Sequence, residues 1–163
     1  MGYVHRDYPE FSWSVGRFKL LESCERKYYY NYYASHNGWL LSANDLQKES
    51  YLLKKLNNRF SLSGDIVHKT IKSYIGTISK EDNQELSTEI INEYIQKAIN
   101  DFNFHLNKSK EYGPNWNTKM KDFKMLEEFY YNEGFDIKQQ EYILDNISKC
   151  VEIGYVKPIS LNY

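Results

Sequence analysis

Cysteine is scarce in this chain, which argues against a fold held together by disulfides. The 163 residues include two cysteines, Cys24 and Cys150, which are far apart and accompany no secretory signal. Small secreted domains use several cysteines at regular spacings as a framework. The histidines and cysteines also show no spacing typical of a zinc site. We therefore expect a cytoplasmic protein in a reducing compartment.

The chain also lacks a marked net charge and a long apolar run. Its formal net charge is −1 and its pI is about 6.4, so no global basic field indicates a nucleic-acid partner. Any such partner must be bound by a local patch. No apolar run approaches the roughly 18 residues of a membrane-spanning helix, so we expect no membrane partner. A Ser/His/Asp or Cys/His catalytic set, a P-loop and a dinucleotide fingerprint are absent as well.

Aromatic residues, in contrast, make up 17% of the chain, which has 16 tyrosines. Between residues 17 and 37 no proline or glycine interrupts an apolar spacing of three and four, which predicts a helix from about Ser14 to Tyr33. Ser14 is its expected N-cap. Phe18, Leu21, Tyr28 and Tyr32 form the stripe that we expect to face a core.

Further amphipathic stretches complete a mainly α fold class, with about six helices in a single domain spanning 1–163 and a short extended segment near Val156–Ile159. Each of the remaining helices is bounded by a cap, a turn or a loss of period. One is predicted at about Ala43–Arg59, and the next follows the turn Phe60–Gly64, with Ser63 as its N-cap. Three more are predicted from the cap Ser87 to Leu106, at about Thr118–Asn132, and from the cap Asp136 to Val151. A break is expected over Asn107–Asn117.

Two short motifs resemble a known family. Ser-Trp-Ser at 12–14, Arg17 and the run Cys-Glu-Arg-Lys-Tyr-Tyr-Tyr at 24–30 are followed, about 40 residues later, by Gly64-Asp65-Ile66-Val67-His68. This order is similar to the opening of one branch of the PD-(D/E)XK nuclease superfamily, which includes recombination helicase–nucleases and CRISPR-associated exonucleases. Glu25 stands where that branch often has proline. The resemblance covers the N-terminal helical half of such an α/β nuclease.

The resemblance implies DNA as substrate, and Mg²⁺ or Mn²⁺ held by an Asp and a Glu/Asp-x-Lys pair that activates water. His68 is an additional metal ligand by motif position. No catalytic residue is identified, because Asp136-Ile137-Lys138 has a helical context and Asp136 is better explained as a helix N-cap. We therefore expect a metal-dependent deoxyribonuclease-like chain that is catalytically incomplete at this length, or that needs another polypeptide to supply the missing sheet.

Some relatives also hold an iron–sulfur cluster through a cysteine at the position of Cys24. Such a cluster normally needs four thiolates, and this chain has two cysteines. We expect no iron–sulfur cluster, and we expect Cys24 to be a buried core thiol.

A DNA-binding surface is predicted on the first helix, where Arg17, Lys19, Arg26 and Lys27 lie among aromatic residues. Such cations can contact phosphates while tyrosines stack on unpaired bases. The alternative is a solvated helix face, balanced by acidic neighbours, with the tyrosines in the core. A second function therefore stays open: a non-enzymatic helical module that binds DNA or protein, or that self-associates through apolar stripes.

Overall fold

The computed structural model describes residues 6–78, 88–117 and 119–156, and this part of the chain is mainly helical, which confirms the predicted fold class. Strand-like pairing in these residues is limited to an isolated bridge between Asn57 and Leu126. The α-helices are α1 (Val15–Ser23), α2 (Glu25–Tyr29), α3 (Asp45–Leu53), α4 (Arg59–Ile78), α5 (Thr88–Tyr112), α6 (Glu127–Tyr130) and α7 (Ile137–Val156).

Two compact units divide the chain. Unit 1 comprises Met1–Leu56 with Asn117–Lys119, and unit 2 comprises Asn57–Trp116 with Met120–Tyr163. The single domain expected from the sequence stays a prediction. Among the helices described in either unit, none has the length and apolarity required to cross a bilayer.

The prediction of one continuous first helix is wrong, because the helix is interrupted at Cys24. Ser14 caps α1 as predicted, its Oγ accepting the Arg17 N–H at 3.1 Å. Cys24 then adopts an extended backbone (φ −169°, ψ 108°) and caps α2, with its Sγ 3.4 Å from the Lys27 nitrogen. Cys24 is therefore an exposed helix cap and not the buried core thiol that we expected.

The stripe expected to face a core is only partly covered. Phe18 and Leu21 are 51% and 41% exposed, whereas Tyr28 and Tyr32 are half-buried. After α2 the backbone continues as a π-helical turn, Tyr30–Ala34, closed by the Ser35 N–H bonding to the Tyr30 carbonyl at 3.2 Å. The aromatic half of the predicted helix is thus the better packed half.

Helix α3 is shorter than the predicted Ala43–Arg59. It starts with a capping box in which the Asn44 side chain accepts the Gln47 N–H at 2.9 Å, and Gln47 accepts the Asn44 N–H at 3.0 Å. Gly38 packs against this helix so closely that a Cβ there would lie 2.3 Å from the Gln47 carbonyl oxygen. Gly38 therefore allows a close backbone contact with α3.

Unit 2 has an apolar core between α4, α5 and α7. Fully or nearly fully buried side chains from these helices and from Leu126 form it: Leu62, Ile66, Tyr74, Ala98, Phe102, Leu106, Leu126, Ile143, Ile147 and Val151. Burial of these side chains is the main force that holds the three helices together.

The turn predicted at Phe60–Gly64, with Ser63 as N-cap, is wrong, because these residues lie inside α4. Asn58 is the actual cap, its Oδ1 accepting the Ser61 N–H at 2.7 Å. Gly64 consequently sits in a helix interior, and a Cβ added there would meet nothing within 4 Å. No other element therefore approaches the backbone closely at Gly64.

The break predicted from Asn107 begins only at the 3₁₀ turn Gly113–Asn115, because buried Leu106 and Ser109 carry α5 onward to Tyr112. The Ser87 cap lies outside the described residues. Of the helix predicted at Thr118–Asn132, only α6 is helical. Backbone groups before α6 instead bond to α5 side chains and to Asn57.

Helix α7 begins as predicted. The Asp136 Oδ1 accepts the Gln139 N–H at 2.8 Å, and the Gln139 Oε1 accepts the Asp136 N–H at 3.0 Å, which confirms the N-cap. The helix continues past Val151 to Val156, so the expected loss of helical period at Val151 is wrong. Residues 157–163, with the rest of the predicted extended segment, lie outside the described part.

Candidate nucleic-acid interface

Arg17 and Tyr32 form the centre of a cationic and aromatic cluster in unit 1. The guanidinium carbon of Arg17 lies 4.1 Å from the centroid of the Tyr32 ring, within the range of a cation–π contact. Its Nη1 also donates to the Ser12 carbonyl at 3.1 Å. The guanidinium is thus held in place on a half-buried tyrosine instead of extending into solvent.

Lys54, at the end of α3, lies against the same ring. Its ammonium is 5.4 Å from the Tyr32 centroid and donates to the Asn31 carbonyl at 2.8 Å. Burial lowers the pKa of Lys54 from its ordinary value, and the positive charges of Lys55 and Arg17 lower it further. The contributions of Lys55 and Arg17 show that Lys54 lies close to other positive charges in unit 1.

Tyrosines of α2 and the π-helical turn lie ring against ring beside these cations. Tyr29 and Tyr33 are stacked with an interplanar angle of 6°, and Tyr28 contacts Tyr32 at 5.0 Å between centroids. Tyr29 and Tyr30 remain 51% and 37% exposed. A π-helical turn is a rare irregularity that is common at functional sites, and here it occurs within the tyrosine run.

The predicted DNA-binding residues have different environments. Arg17 lies on Tyr32, and the Arg26 guanidinium is 5.9 Å from the Tyr30 centroid. Lys27 lines a groove, whereas Lys19 is exposed on α1 and makes no ring contact with the described residues. Lys54 was not among the predicted DNA-binding residues, although the basic stretch of the second predicted helix contains it.

Carboxylates pair with five of the lysines and arginines of unit 2 but not with the cluster in unit 1. The ion pairs of unit 2 are Lys69–Asp101 at 3.3 Å, Lys124–Asp65 at 2.7 Å, Lys108–Glu111 at 2.8 Å, Lys149–Asp145 at 2.6 Å and Arg59–Glu128 at 3.6 Å. Within the described residues, Arg17, Arg26, Lys27 and Lys54 have no carboxylate partner of this kind. Their charge is available to an anionic partner.

A groove of about 480 Å³ opens beside this cluster, between α3 and the tyrosine run. It has an apolar wall, two lysines and a few polar groups. Its lining residues are Lys27, Tyr30, Asn31, Leu46, Glu49, Ser50, Leu53 and Lys54. Both leucines are partly exposed, at 48% for Leu46 and 37% for Leu53, so the wall is accessible to a ligand.

His68, the metal ligand implied by the resemblance, is exposed on α4. No group of three or more His, Cys, Asp or Glu side chains suited to a metal ion is found among residues 6–78, 88–117 and 119–156. The nearby acid Asp65 is paired with Lys124, and Asp136 caps α7. The described residues therefore do not bring a set of metal ligands together around His68.

Comparison with protein-family models, with curated proteins and with solved structures finds no match to this chain. The resemblance to PD-(D/E)XK nucleases stays an expectation from the two motifs.

Proposed function

We propose that this chain is a DNA-binding protein that engages single strands through unit 1 and does not cleave them by itself. The observation that carries the proposal is the placement of Arg17, Lys54 and Arg26 on tyrosine rings, with no carboxylate partner among the described residues, whereas several cations of unit 2 are paired.

Cations and exposed aromatic rings together match the chemistry of a single strand. The backbone supplies one negative charge per nucleotide, and binding releases its counterions, which makes affinity fall with salt. The faces of unpaired bases can stack on exposed tyrosines such as Tyr29 and Tyr30, whereas a duplex hides those faces. Such binding tolerates many sequences, because every base has a π-face.

The direct test is fluorescence anisotropy with a short labelled single-stranded oligodeoxycytidine across a salt series. We expect Arg26→Ala to weaken binding and reduce the salt dependence, because one phosphate contact is lost. Tyr30→Ala should weaken binding by about fivefold or more, the loss of one base–aromatic stack. The matched controls lie in unit 2: Lys149→Ala, which removes a lysine paired with Asp145, and Tyr142→Ala, at a 61% exposed tyrosine. Equal effects of test and control variants would contradict the proposal.

Metal-dependent cleavage is the second candidate, and it follows from the family resemblance and the exposed position of His68 on α4. Incubation with single- and double-stranded DNA and Mn²⁺ tests it. Clear cleavage that is lost in His68→Ala would support a nuclease and overturn the expectation of an incomplete one. If DNA is neither bound nor cleaved, a protein partner or self-association becomes the leading explanation, because Val15, Phe18 and Leu21 of α1 are exposed.

A further inference from the structure

The groove of unit 1 combines features that one ligand class requires together. Its volume of about 480 Å³ lies in the ordinary range of small-molecule sites, about 300–1,000 Å³. Leu46, Leu53 and Tyr30 give it an apolar and aromatic wall, which suits a flat heterocycle. Lys27 and Lys54 give it positive charge, which suits a phosphate.

We infer that this groove is a pocket for one nucleotide, with the base against Leu46 and Leu53 and the phosphate at Lys27 and Lys54. The inference rests on the proposed function in one respect, namely that the nucleotide belongs to a bound strand.

Lys54 has the capacity for this role. An ammonium carries three N–H donors, and the bond to the Asn31 carbonyl uses one of them. That bond also holds the ammonium in place before a ligand arrives, which reduces the entropy lost on binding. Lys27 is exposed and has no carboxylate partner among the described residues, so it too can reach a phosphate.

Glu49 gives the pocket a base preference. An ionised carboxylate accepts hydrogen bonds and donates none, so it favours a base that presents an amino group. Cytosine presents its N4 amino group, and thymine presents the O4 acceptor at the equivalent position. A carboxylate beside O4 is repulsive. We therefore expect deoxycytidine 5′-monophosphate to bind more tightly than the thymidine nucleotide, by about fivefold.

The test is an NMR titration of the ¹⁵N-labelled full chain with the cytidine nucleotide, the thymidine nucleotide and deoxyribose 5-phosphate, which has no base. We expect shifts at the amides of Ser50 and Leu53, the tightest binding for the cytidine nucleotide and the weakest for the sugar phosphate. Leu53→Ser should reduce the affinity for the cytidine nucleotide several-fold, and Glu49→Gln should remove the preference for it. Leu41→Ser is the matched control, at a 91% exposed leucine of the same unit outside the groove lining. A native-like spectrum of each variant shows that it is folded.

Measuring the oligodeoxycytidine affinity of the same variants separates this inference from the proposed function. If the oligonucleotide binds and the nucleotides do not shift the groove amides, or if Leu53→Ser and Leu41→Ser behave alike, the pocket is refuted and strand binding stands. If the cytidine nucleotide binds in the groove while the oligonucleotide fails to bind, strand binding is refuted and the pocket serves a free nucleotide. If neither ligand binds, both proposals fall.

Discussion

The Glu128 carboxylate accepts the backbone N–H of Arg59 at 3.0 Å, although 69 residues separate them in the chain. Arg59 is the first residue of α4, and the N–H groups of a first helical turn have no partner within the helix. Asn57 strengthens the same connection, donating its N–H to the Met125 carbonyl at 2.9 Å and accepting from Glu127 at 2.8 Å. A residue of α6 therefore completes the start of α4.

Replacement of Glu128 by alanine should destabilise the protein. The Glu128 side chain is 9% exposed, so its removal leaves the Arg59 N–H and guanidinium without this partner at a site largely shielded from solvent. We expect a loss of about 1–3 kcal/mol in the free energy of unfolding, measured by urea denaturation. Glu141→Ala, at an exposed position of α7, is the control and should change stability by less than about 0.5 kcal/mol. Similar losses in both variants would contradict the role of Glu128.

Ser109 connects α5 to the segment that precedes α6. Its Oγ donates to the His105 carbonyl at 2.8 Å and accepts the Leu126 N–H at 3.0 Å, and the residue is fully buried. Ser109→Ala should lower the free energy of unfolding by about 1–3 kcal/mol, because the buried Leu126 N–H loses its acceptor. Ser148→Ala is a close control: Ser148 also bonds to a carbonyl four residues earlier, that of Leu144, and no long-range hydrogen bond to it is found in the described residues. Chemical denaturation of both variants should separate them by at least about 1 kcal/mol.

His105 makes the stability of unit 2 depend on pH. Its Nδ1 accepts the Lys124 backbone N–H at 3.1 Å, so this nitrogen carries no proton in the folded state. Burial lowers the pKa of His105 from its ordinary value; Asp101 opposes that shift, while Lys124 and Lys69 add to it. Between the usual value of about 6.5 and the lowered one, the unfolded chain binds more protons than the folded chain. Stability is therefore present above the unfolded pKa and is lost as the pH falls through the folded one.

Urea midpoints measured from about pH 7.5 down to about pH 5 test this dependence. His105→Asn offers an acceptor to Lys124 but does not titrate, so its stability should fall less on acidification than that of the unmodified chain. Asp101→Asn removes the carboxylate that raises the pKa of His105, so the loss of stability should begin at the same pH, extend to lower pH and become larger. Identical curves for His105→Asn and the unmodified chain would refute the assignment.

Two glycines should respond in opposite ways to alanine. Gly64 lies inside α4, and a Cβ there meets nothing within 4 Å, so Gly64→Ala should stabilise the protein by about 0.8–1.0 kcal/mol through helix propensity. A Cβ at Gly38 would lie 2.3 Å from the Gln47 carbonyl oxygen and 2.4 Å from the Tyr51 Cβ. Because the backbone must move to make room for this Cβ, Gly38→Ala should lower the free energy of unfolding by about 1–3 kcal/mol. Thermal melting of both variants provides the measurement, and a destabilised Gly64→Ala would indicate tight packing at that position after all.

Features that depend on neighbouring residues were predictable from the sequence. Asp136 and Ser14 cap their helices as expected, since a cap needs only a side-chain oxygen and the N–H groups three residues ahead. The cationic and aromatic character of the first helix was predicted too, and Arg17 and Arg26 do lie on tyrosine rings. The partners of those residues, and the contribution of Lys54, depend on contacts from α3 that no local pattern encodes.

Features that depend on distant residues were the ones that sequence reasoning missed. The predicted helix at Thr118–Asn132 is mostly irregular, because His105, Ser109 and Asn57 take the hydrogen bonds of its backbone. Likewise, α4 begins before the expected turn, where Glu128, 69 residues away, accepts the N–H of its first residue. In each case a long-range hydrogen bond shifts an element boundary away from the one that local preferences predict, because those preferences are weak when tertiary bonds compete.

By itself, the amino-acid sequence determined that this protein is mainly helical, that Ser14 and Asp136 start helices, and that its first aromatic stretch carries positive charge. Only the tertiary structure decided that Cys24 breaks that stretch, that Glu128 completes α4, and that Arg17 and Lys54 share the Tyr32 ring. The physical reason is the distance along the chain over which each interaction acts. Periodicity and capping act over about four residues, whereas the partner of a buried hydrogen bond or of a ring is chosen by the fold as a whole.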